Sequence, residues 1–238
     1  MQFLTIKKHQ RQRKDGKPHA QAYVVKKNRK FGDVIEQKCI STKKPVLITG
    51  AHASGKSYWL DRLRKDAARV WVSKSDNEPL YFSASRPLSS WTDVKHLELW
   101  WAIRDNPEEE RNWTNLKAWE RQDAISLYLR ETGAVLFIDD CHNLSGRKLK
   151  IAQDCVRAAK VWVMTAADEG RIAPGLRKDV LFAEPQIFRL DTEVAYDATA
   201  ILMWVMMLVC LGFGAYEIAA AIGGLKMLAG GQRASKQS

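Results

Sequence analysis

One short stretch restricts the fold of this chain more than any other. An apolar run, PVLITG, occupies residues 45–50, and a glycine-rich loop, AHASGKS, follows it without a gap. Gly50 and Gly55 lie five residues apart, and Lys-Ser comes directly after the second glycine. Glycines let a backbone curl until successive N–H groups point inward, and such a concave loop binds phosphate oxygens. A buried strand that enters this loop and a helix that leaves it therefore predict a polyphosphate site.

Each side chain of the loop suggests its own contact with a nucleoside triphosphate and magnesium. Lys56 would place an ammonium against the β and γ phosphates, and the Ser57 hydroxyl would hold Mg²⁺. The pattern itself does not distinguish ATP from GTP, although ATP is the nucleotide we expect. The residues expected to line the nucleotide are Gly50, Ala51, His52, Ala53, Ser54, Gly55, Lys56, Ser57 and Tyr58.

A second apolar run supplies the acidic half of such a site. The letters AVLFIDD, residues 134–140, are apolar until two aspartates end the run. The carboxyl ends of parallel strands meet at one edge of a sheet. Asp139 is therefore expected to bind Mg²⁺ through water, and Asp140 to orient or polarise the attacking water.

The remaining pattern alternates short apolar runs with amphipathic helical segments, which is typical of a parallel sheet covered on both faces. We therefore predict an α/β, three-layer fold. The expected strands are residues 45–50, 69–73, 79–85, 134–140, 161–166 and 186–190, and the expected helices are residues 56–68, 90–105, 112–133, 144–160 and 174–181.

Together the two motifs make residues 45–191 resemble a P-loop NTPase of the additional-strand class, which includes AAA+ and STAND ATPases. The resemblance implies a parallel sheet of order 5-1-4-3-2 and Mg²⁺-assisted attack of water on ATP. It also implies a polar sensor at the tip of the next strand, where Thr165 stands, and an arginine finger before the last strand. Arg177 is the first candidate for the finger and Arg171 the second.

Two departures from that class bear on catalysis. Asp140 stands where the class has a glutamate, and it is one methylene shorter, so hydrolysis is expected to be slow. A helical lid follows the last strand in AAA+ proteins, whereas here only a short linker, residues 192–197, separates that strand from an apolar segment.

The apolar segment predicts a C-terminal transmembrane helix within residues 198–229. No charge occurs for 19 residues, from Ala198 to Tyr216, and a spanning helix needs about 20 apolar residues. We expect a single pass with the ATPase domain cytoplasmic and residues 198–225 in the bilayer. A re-entrant hairpin bending at residues 212–214 is the alternative. Small residues in the later part favour helix packing and a homo-oligomer.

The positive charge of the chain is concentrated at its start. The net charge is +11, and ten of the 38 Lys and Arg residues lie in residues 1–30 against one acid. A local basic patch predicts a polyanionic partner, either acidic lipid or nucleic acid. Two weak strand patterns, at residues 22–25 and 34–41, suggest a small hairpin. The predicted organisation is a basic arm or hairpin (1–44), a P-loop ATPase domain (45–191), a linker (192–197), a transmembrane segment (198–229) and a polar tail (230–238).

Three functions fit this organisation. The first is a membrane-anchored oligomeric ATPase that assembles or moves an unidentified macromolecular client at the cytoplasmic face. Its layout resembles the zonula-occludens-toxin-like assembly ATPases of filamentous phages. The second is a STAND-like or defence-type switch in which nucleotide binding controls association of the apolar segments. The third is a membrane tether for nucleic acid.

Overall fold

A computed structural model describes residues 2–8, 19–27, 33–71, 78–104, 112–190, 205–210 and 212–214. The chain divides into two units, residues 1–193 and residues 194–238. The first unit contains two sheets, one parallel and one antiparallel, and the candidate site lies on the parallel sheet.

The parallel sheet has five strands in the order β5-β6-β7-β4-β8. Numbered from the strand before the glycine-rich loop, this order is 5-1-4-3-2, as predicted from the family resemblance. All four neighbouring pairs run parallel. The strands are β4 (Val46–Gly50), β5 (Leu80–Ser83), β6 (Leu136–Asp139), β7 (Trp162–Ala166) and β8 (Gln186–Leu190).

Both faces of this sheet are buried, which explains why its central strands read as continuous apolar runs. Every residue of β6 and β7 is buried. Successive residues of β7 enter different cores: Val163 packs in one cluster and Met164 in the other. This alternation follows from the period of two in a strand and produces three layers.

Seven helices are described within residues 56–182, and they lie on both sides of the sheet. Helices α1 and α2 share the core of Val163, whereas α5, α6 and α7 contribute to that of Met164. Gly133 ends α5 with a φ of 64°, as its position in the sequence predicts. The helices are α1 (Lys56–Lys65), α2 (Ala67–Val70), α3 (Ser89–Thr92), α4 (Lys95–Ile103), α5 (Ala118–Thr132), α6 (Gly146–Ala158) and α7 (Pro174–Phe182).

Three secondary-structure predictions were wrong in part. The helix expected over residues 112–133 begins only at Ala118, after a short 3-10 helix, Trp113–Asn115, and an extended Lys117. The helix expected over residues 90–105 is two helices, α3 and α4, because Asp93 and Val94 leave helical geometry. The strand expected over residues 69–73 begins inside α2, which extends to Val70; residues 72–77 lie outside the described part.

The N-terminal residues form a three-stranded antiparallel sheet in the order β1-β2-β3. The predicted strand patterns correspond to β2 (Ala20–Lys27) and β3 (Val34–Cys39), and β1 (Gln2–Lys8) is an additional strand. One face of this N-terminal sheet, including Leu4 and Ala22, shares a hydrophobic core with α1 and α2. The guanidinium of Arg62 in α1 also donates to the carbonyl oxygen of Leu4 at 2.9 Å.

The C-terminal unit is described only at residues 205–210, which are helical, and at residues 212–214. The chain turns at Phe213 and Gly214, and Gly214 has a left-handed φ of 75°. Within the described residues, no helix combines the length and apolar composition needed to cross a bilayer. The linker at residues 192–197, the polar tail and most of the predicted transmembrane segment lie outside the described residues.

Candidate functional site

The candidate site lies at the carboxyl edge of the parallel sheet, where β4, β6 and β7 end. The phosphate loop, residues 50–57, begins at the last residue of β4 and runs into α1. Asp139 is the last residue of β6, and Thr165 lies one residue before the end of β7. The sheet order places β7 directly between β4 and β6. The predicted loop, acid and sensor positions therefore lie at one edge of the sheet.

The backbone of the phosphate loop requires glycine at its first position. A Cβ on Gly50 would lie 2.7 Å from the carbonyl oxygen of Leu190 and 2.8 Å from the Ser54 hydroxyl. Gly55, just before α1, has a left-handed φ of 87°. Ala53 also adopts a left-handed conformation, with a φ of 61°, which is uncommon for a residue with a side chain. The loop thus has the local curl expected of a phosphate cradle.

Lys56 is enclosed by the loop that precedes it. Its Nζ donates to the carbonyl oxygens of Gly50 at 2.9 Å and Ala51 at 2.7 Å, and only 7% of the residue is exposed. Burial lowers the pKa of Lys56, and the carboxylates of Asp140 and Asp139 oppose that shift. The ammonium is therefore held inside the loop, at the position where phosphate oxygens would compete for its protons.

Asp139 joins the three elements of the site. Its Oδ1 accepts hydrogen bonds from the hydroxyls of Ser57 in α1, at 3.1 Å, and of Thr165 in β7, at 2.6 Å. The carboxylate is buried, and Thr165 is fully buried. A buried carboxylate is stable only when its oxygens are hydrogen-bonded. The two hydroxyls provide this and fix the direction of the carboxylate.

Thr165 makes a second contact that the sequence does not indicate. Its Oγ1 accepts a hydrogen bond of 2.8 Å from the backbone N–H of Asp140. Asp140 has φ 53° and ψ 45°, a left-handed conformation for a non-glycine residue. Such conformations cost about 1–3 kcal/mol and persist where the surroundings enforce them. The hydroxyl of Thr165 therefore positions both aspartates, one through its carboxylate and the other through its backbone.

His142 connects the loop after β6 with the loop after β7. Its Nδ1 accepts a hydrogen bond of 3.2 Å from the backbone N–H of Ala167. The carbonyl oxygen of Ala167 in turn accepts from the N–H of Gly50 at 3.3 Å. Burial lowers the pKa of His142; Asp140 raises it, and Lys56 and Arg171 lower it further. His142 thus lies among the charged groups of the site.

The two candidate arginine fingers differ in position. Arg171 ends a short 3-10 helix, Glu169–Arg171, close enough to His142 to affect its pKa. Arg177 is exposed on α7, and its side chain makes no hydrogen bond or ion pair within the described part of the chain. Only Arg171 is thus linked to the site of its own chain. A finger acts from a neighbouring subunit, so the role of either arginine stays a prediction.

The outer residues of the phosphate loop are open to solvent. His52 is exposed, and Tyr58, the third residue of α1, has 67% of its surface exposed. Their predicted contacts with a nucleotide remain predictions.

Sequence reasoning missed the contribution of β5. Ser83 is buried at the end of β5 and pairs in register with Asp139. The N–H of Ala84 donates to the carbonyl oxygen of Asp139 at 3.2 Å, and Lys148 Nζ donates to the carbonyl oxygen of Ala84 at 2.8 Å. The sheet order would have indicated Ser83, since β5 is the other neighbour of β6. A lone serine at the end of a strand is too common to indicate a site by itself.

The residues at this edge fit a magnesium–nucleotide ligand. Mg²⁺ prefers oxygen ligands, and a hydroxyl and a carboxylate, Ser57 Oγ and Asp139 Oδ1, lie 3.1 Å apart. Triphosphate oxygens need a cation and converging N–H groups, which Lys56 and the start of α1 supply. The sheet order and the phosphate loop are those of a P-loop NTPase fold.

Comparisons with known proteins add little to this geometry. No family model matches the chain, and no curated protein matches it. Among 45 chains of known structure that match is the crystal structure of Cdc6p from Pyrobaculum aerophilum, with 16% sequence identity and a TM-score of 0.38. The match covers 61% of this chain and 38% of the Cdc6p chain. A likeness at this level carries no argument about activity or partner, so the fold assignment rests on the sheet order and the loop.

Proposed function

We propose that this chain is a membrane-anchored ATP-binding protein that hydrolyses ATP with Mg²⁺ as an oligomer. We further propose that it acts in assembly or transport of a macromolecular client at the cytoplasmic face of the membrane. The observation that carries the proposal is the hydrogen-bonded set of Ser57, Asp139 and Thr165, located beside a loop that encloses Lys56.

In this proposal each side chain has one task. Lys56 binds the β and γ phosphates, and Ser57 and Asp139 hold Mg²⁺, which neutralises charge on the phosphates when it is bound. Asp140 accepts a hydrogen bond from the attacking water and orients it. Thr165 keeps Asp139 and the backbone of Asp140 in place.

Catalysis in this scheme is completed between subunits. Arg177, or alternatively Arg171, extends from a neighbouring copy to stabilise the charge that develops on the γ phosphate. Because Asp140 is shorter than glutamate, turnover is slow. Slow turnover also favours a second candidate, a switch in which ATP binding alone controls association of the apolar segments.

Membrane attachment is proposed through residues 198–225. Apolar side chains of the helix at residues 205–210 are exposed in this unit, including Val205, Met206, Leu208 and Val209 at 50% or more. Exposed apolar side chains on a helix fit a lipid surface better than water.

The path of this segment through the bilayer has two forms to test. The turn at Phe213 and Gly214 supports the hairpin alternative over one continuous pass. Each hairpin arm of about 13 residues would be about 20 Å long, shorter than the hydrocarbon core of about 30 Å. A membrane-impermeant maleimide applied to intact cells carrying Ser235→Cys separates the two forms: a single pass labels this position and a hairpin does not. Cys39, on the ATPase side, is the internal control.

The test of the nucleotide site compares two lysines of one helix. Lys56→Ala should abolish binding of a fluorescent ATP analogue with Mg²⁺. Lys65→Ala should not, because Lys65 lies at the other end of α1 and pairs with Asp61 at 2.6 Å. Competition with ATP and GTP identifies the nucleotide. Equal binding by the parent and by Lys56→Ala would contradict the proposal.

The oligomeric ATPase and the switch differ in turnover. For an oligomer with a shared site, ATP turnover per chain rises with protein concentration and falls in Arg177→Ala or, for the alternative finger, in Arg171→Ala. Retention of ATP without turnover, together with growth inhibition that requires residues 198–225, would instead identify the switch.

A further inference from the structure

The N-terminal sheet has a second face, opposite the one that packs on α1 and α2. Its inner face packs on α1 and α2, and the alternate residues point away from that core. These outward positions define the outer face. Its polar and aromatic members are Phe3, Thr5, Lys7, Gln21, Tyr23, Lys27, Gln37 and Cys39, and Val25 is a buried aliphatic member between Phe3 and Gln37.

Tyr23 lies at the centre of the outer face. It pairs with Thr5 of β1 on one side and with Cys39 of β3 on the other. Its hydroxyl donates to Gln21 Oε1 at 2.5 Å, and the Lys7 ammonium lies 5.3 Å from the centre of its ring. The ring is half-buried, so it is held in place yet open to solvent. A fixed aromatic ring next to a cation is an arrangement on which a nucleotide base can stack while its phosphate meets the charge.

The charge of this region has a single sign at the outward positions. None of the outward positions of the described strands carries a carboxylate; Glu36 lies on the opposite face, where it pairs with Lys38 at 3.0 Å. The connections that join the strands are basic in sequence. Residues 9–18 carry Arg11, Arg13, Lys14 and Lys17 against one acid, and residues 28–32 carry Arg29 and Lys30.

We propose that the outer face of the N-terminal sheet binds single-stranded nucleic acid. Bases stack on Tyr23, and Lys7 contacts the phosphate backbone. A sheet face with a central aromatic ring suits unpaired bases, whereas a duplex hides its bases and offers only its backbone and groove edges. The inference rests on the sequence-based prediction that the basic N-terminal residues bind a polyanion, and it specifies the ligand and the face.

The first experiment measures binding of the full chain in detergent to a fluorescein-labelled oligothymidylate of about 20 nucleotides by fluorescence anisotropy. Tyr23→Leu should weaken binding about fivefold to tenfold, because stacking on one ring is lost. Tyr23→Phe keeps the ring, loses only the hydroxyl, and should bind as the parent does. Equal affinity of Tyr23→Leu and the parent would overturn the inference. Equal weakening in Tyr23→Leu and Tyr23→Phe would also overturn it, since the loss would then come from a disturbed sheet and not from lost stacking on the ring.

The second experiment separates the outer face from the overall charge. Lys7→Gln should reduce the slope of log affinity against log salt by about 0.7, the value for one phosphate contact on a single strand. Lys38→Gln removes the same charge from the same sheet but on the opposite face, and should leave the slope unchanged. Equal slopes in the two variants would contradict a defined outer face.

A third experiment locates the ligand. Cys39 is exposed and lies opposite Tyr23 in the strand register, whereas Cys141 and Cys155 are buried. In a Cys210→Ser background, the oligonucleotide should slow maleimide labelling of Cys39. An unchanged rate at saturating oligonucleotide would refute binding at this face.

Lipid and nucleotide controls complete the test. Vesicles containing phosphatidylserine should bind equally to the parent and to Tyr23→Leu, because they bind through the apolar segment. If Tyr23→Leu weakened vesicle binding and left oligonucleotide binding unchanged, the outer face would be a lipid face and the inference would be overturned. Lys56→Ala should retain oligonucleotide binding. Failure of the ATP site and failure of the outer face are therefore observed separately.

Discussion

The contact that most directly tests the geometry of the site is the hydroxyl of Thr165. Thr165→Val keeps the shape of the buried side chain and removes its only polar atom. The change deletes the donor to Asp139 Oδ1 at 2.6 Å and the acceptor for the N–H of Asp140 at 2.8 Å. Thr165→Ser is the matched variant, because it keeps the hydroxyl and loses one buried methyl group.

The two variants should differ in the free energy of unfolding. A hydrogen bond to a charged group contributes about 1.5–3 kcal/mol, and a buried N–H without a partner costs about 1–3 kcal/mol. Partial relaxation and the apolar gain of the new methyl group offset part of this, so we expect Thr165→Val to lose about 2–4 kcal/mol. Thr165→Ser should lose about 1 kcal/mol for its methyl group.

Urea unfolding measures this difference in the free energy of unfolding. The fluorescence of the nine tryptophans of the chain reports the transition, and the buffer contains a chelator and no nucleotide. Thr165→Val should also weaken binding of the ATP analogue. The loss of affinity relative to the parent should be larger with Mg²⁺ than without it, because Asp139 loses its orientation. If valine and serine variants unfold within about 0.5 kcal/mol of each other, Thr165 does not position the aspartates and the reasoning fails.

Two further predictions concern Gly50 of the phosphate loop and His142. Gly50→Ala should destabilise the chain by about 1–3 kcal/mol and abolish ATP binding, because its Cβ would lie 2.7 Å from a backbone oxygen of β8. The control is Gly170→Ala, whose Cβ would meet only a side-chain oxygen at 3.5 Å. It should change stability by less than about 0.5 kcal/mol in the same urea assay. Indistinguishable variants would contradict the packing at Gly50. Burial lowers the pKa of His142 below its ordinary value of 6.5. Between the two pKa values the unfolded chain binds more protons than the folded chain, so stability falls as the pH falls below about 6.5. Urea midpoints at about pH 7.5 and 5.5 should therefore differ more for the parent than for His142→Gln, and an equal difference would refute this account.

The parts of the site that contact a ligand were predictable because ligand chemistry restricts them in sequence. A triphosphate requires the curled loop, the lysine and the hydroxyl at fixed spacing, and β4 ends and α1 begins where that spacing places them. The acid at the end of β6 follows from the same chemistry. The sheet order came from the family resemblance, since apolar periodicity alone does not distinguish which strands are neighbours.

The supporting contacts were not predictable because the fold, and not the ligand, determines them. The second hydrogen bond of Thr165 depends on the left-handed backbone of Asp140, and a non-glycine residue gives no sequence signal for that conformation. The break between α3 and α4 has a similar origin. Trp91 stacks on Phe82 of β5 with ring centres 4.3 Å apart, and this packing overrides the continuous helical pattern.

The N-terminal sheet shows how composition can mislead when charge is considered apart from position. A stretch with ten basic residues in thirty suggests a solvated arm, yet Leu4, Ala22 and Val24 contribute to the core of α1 and α2. The alternation in β2 places Ala20, Ala22 and Val24 on the core face, so the same short strand supports the core and presents Tyr23 on the opposite face. The basic residues are concentrated at strand ends and connections. Burial and charge therefore coexist in this sequence because a strand has two faces, one in the core of α1 and α2 and one that presents Tyr23 and Lys7.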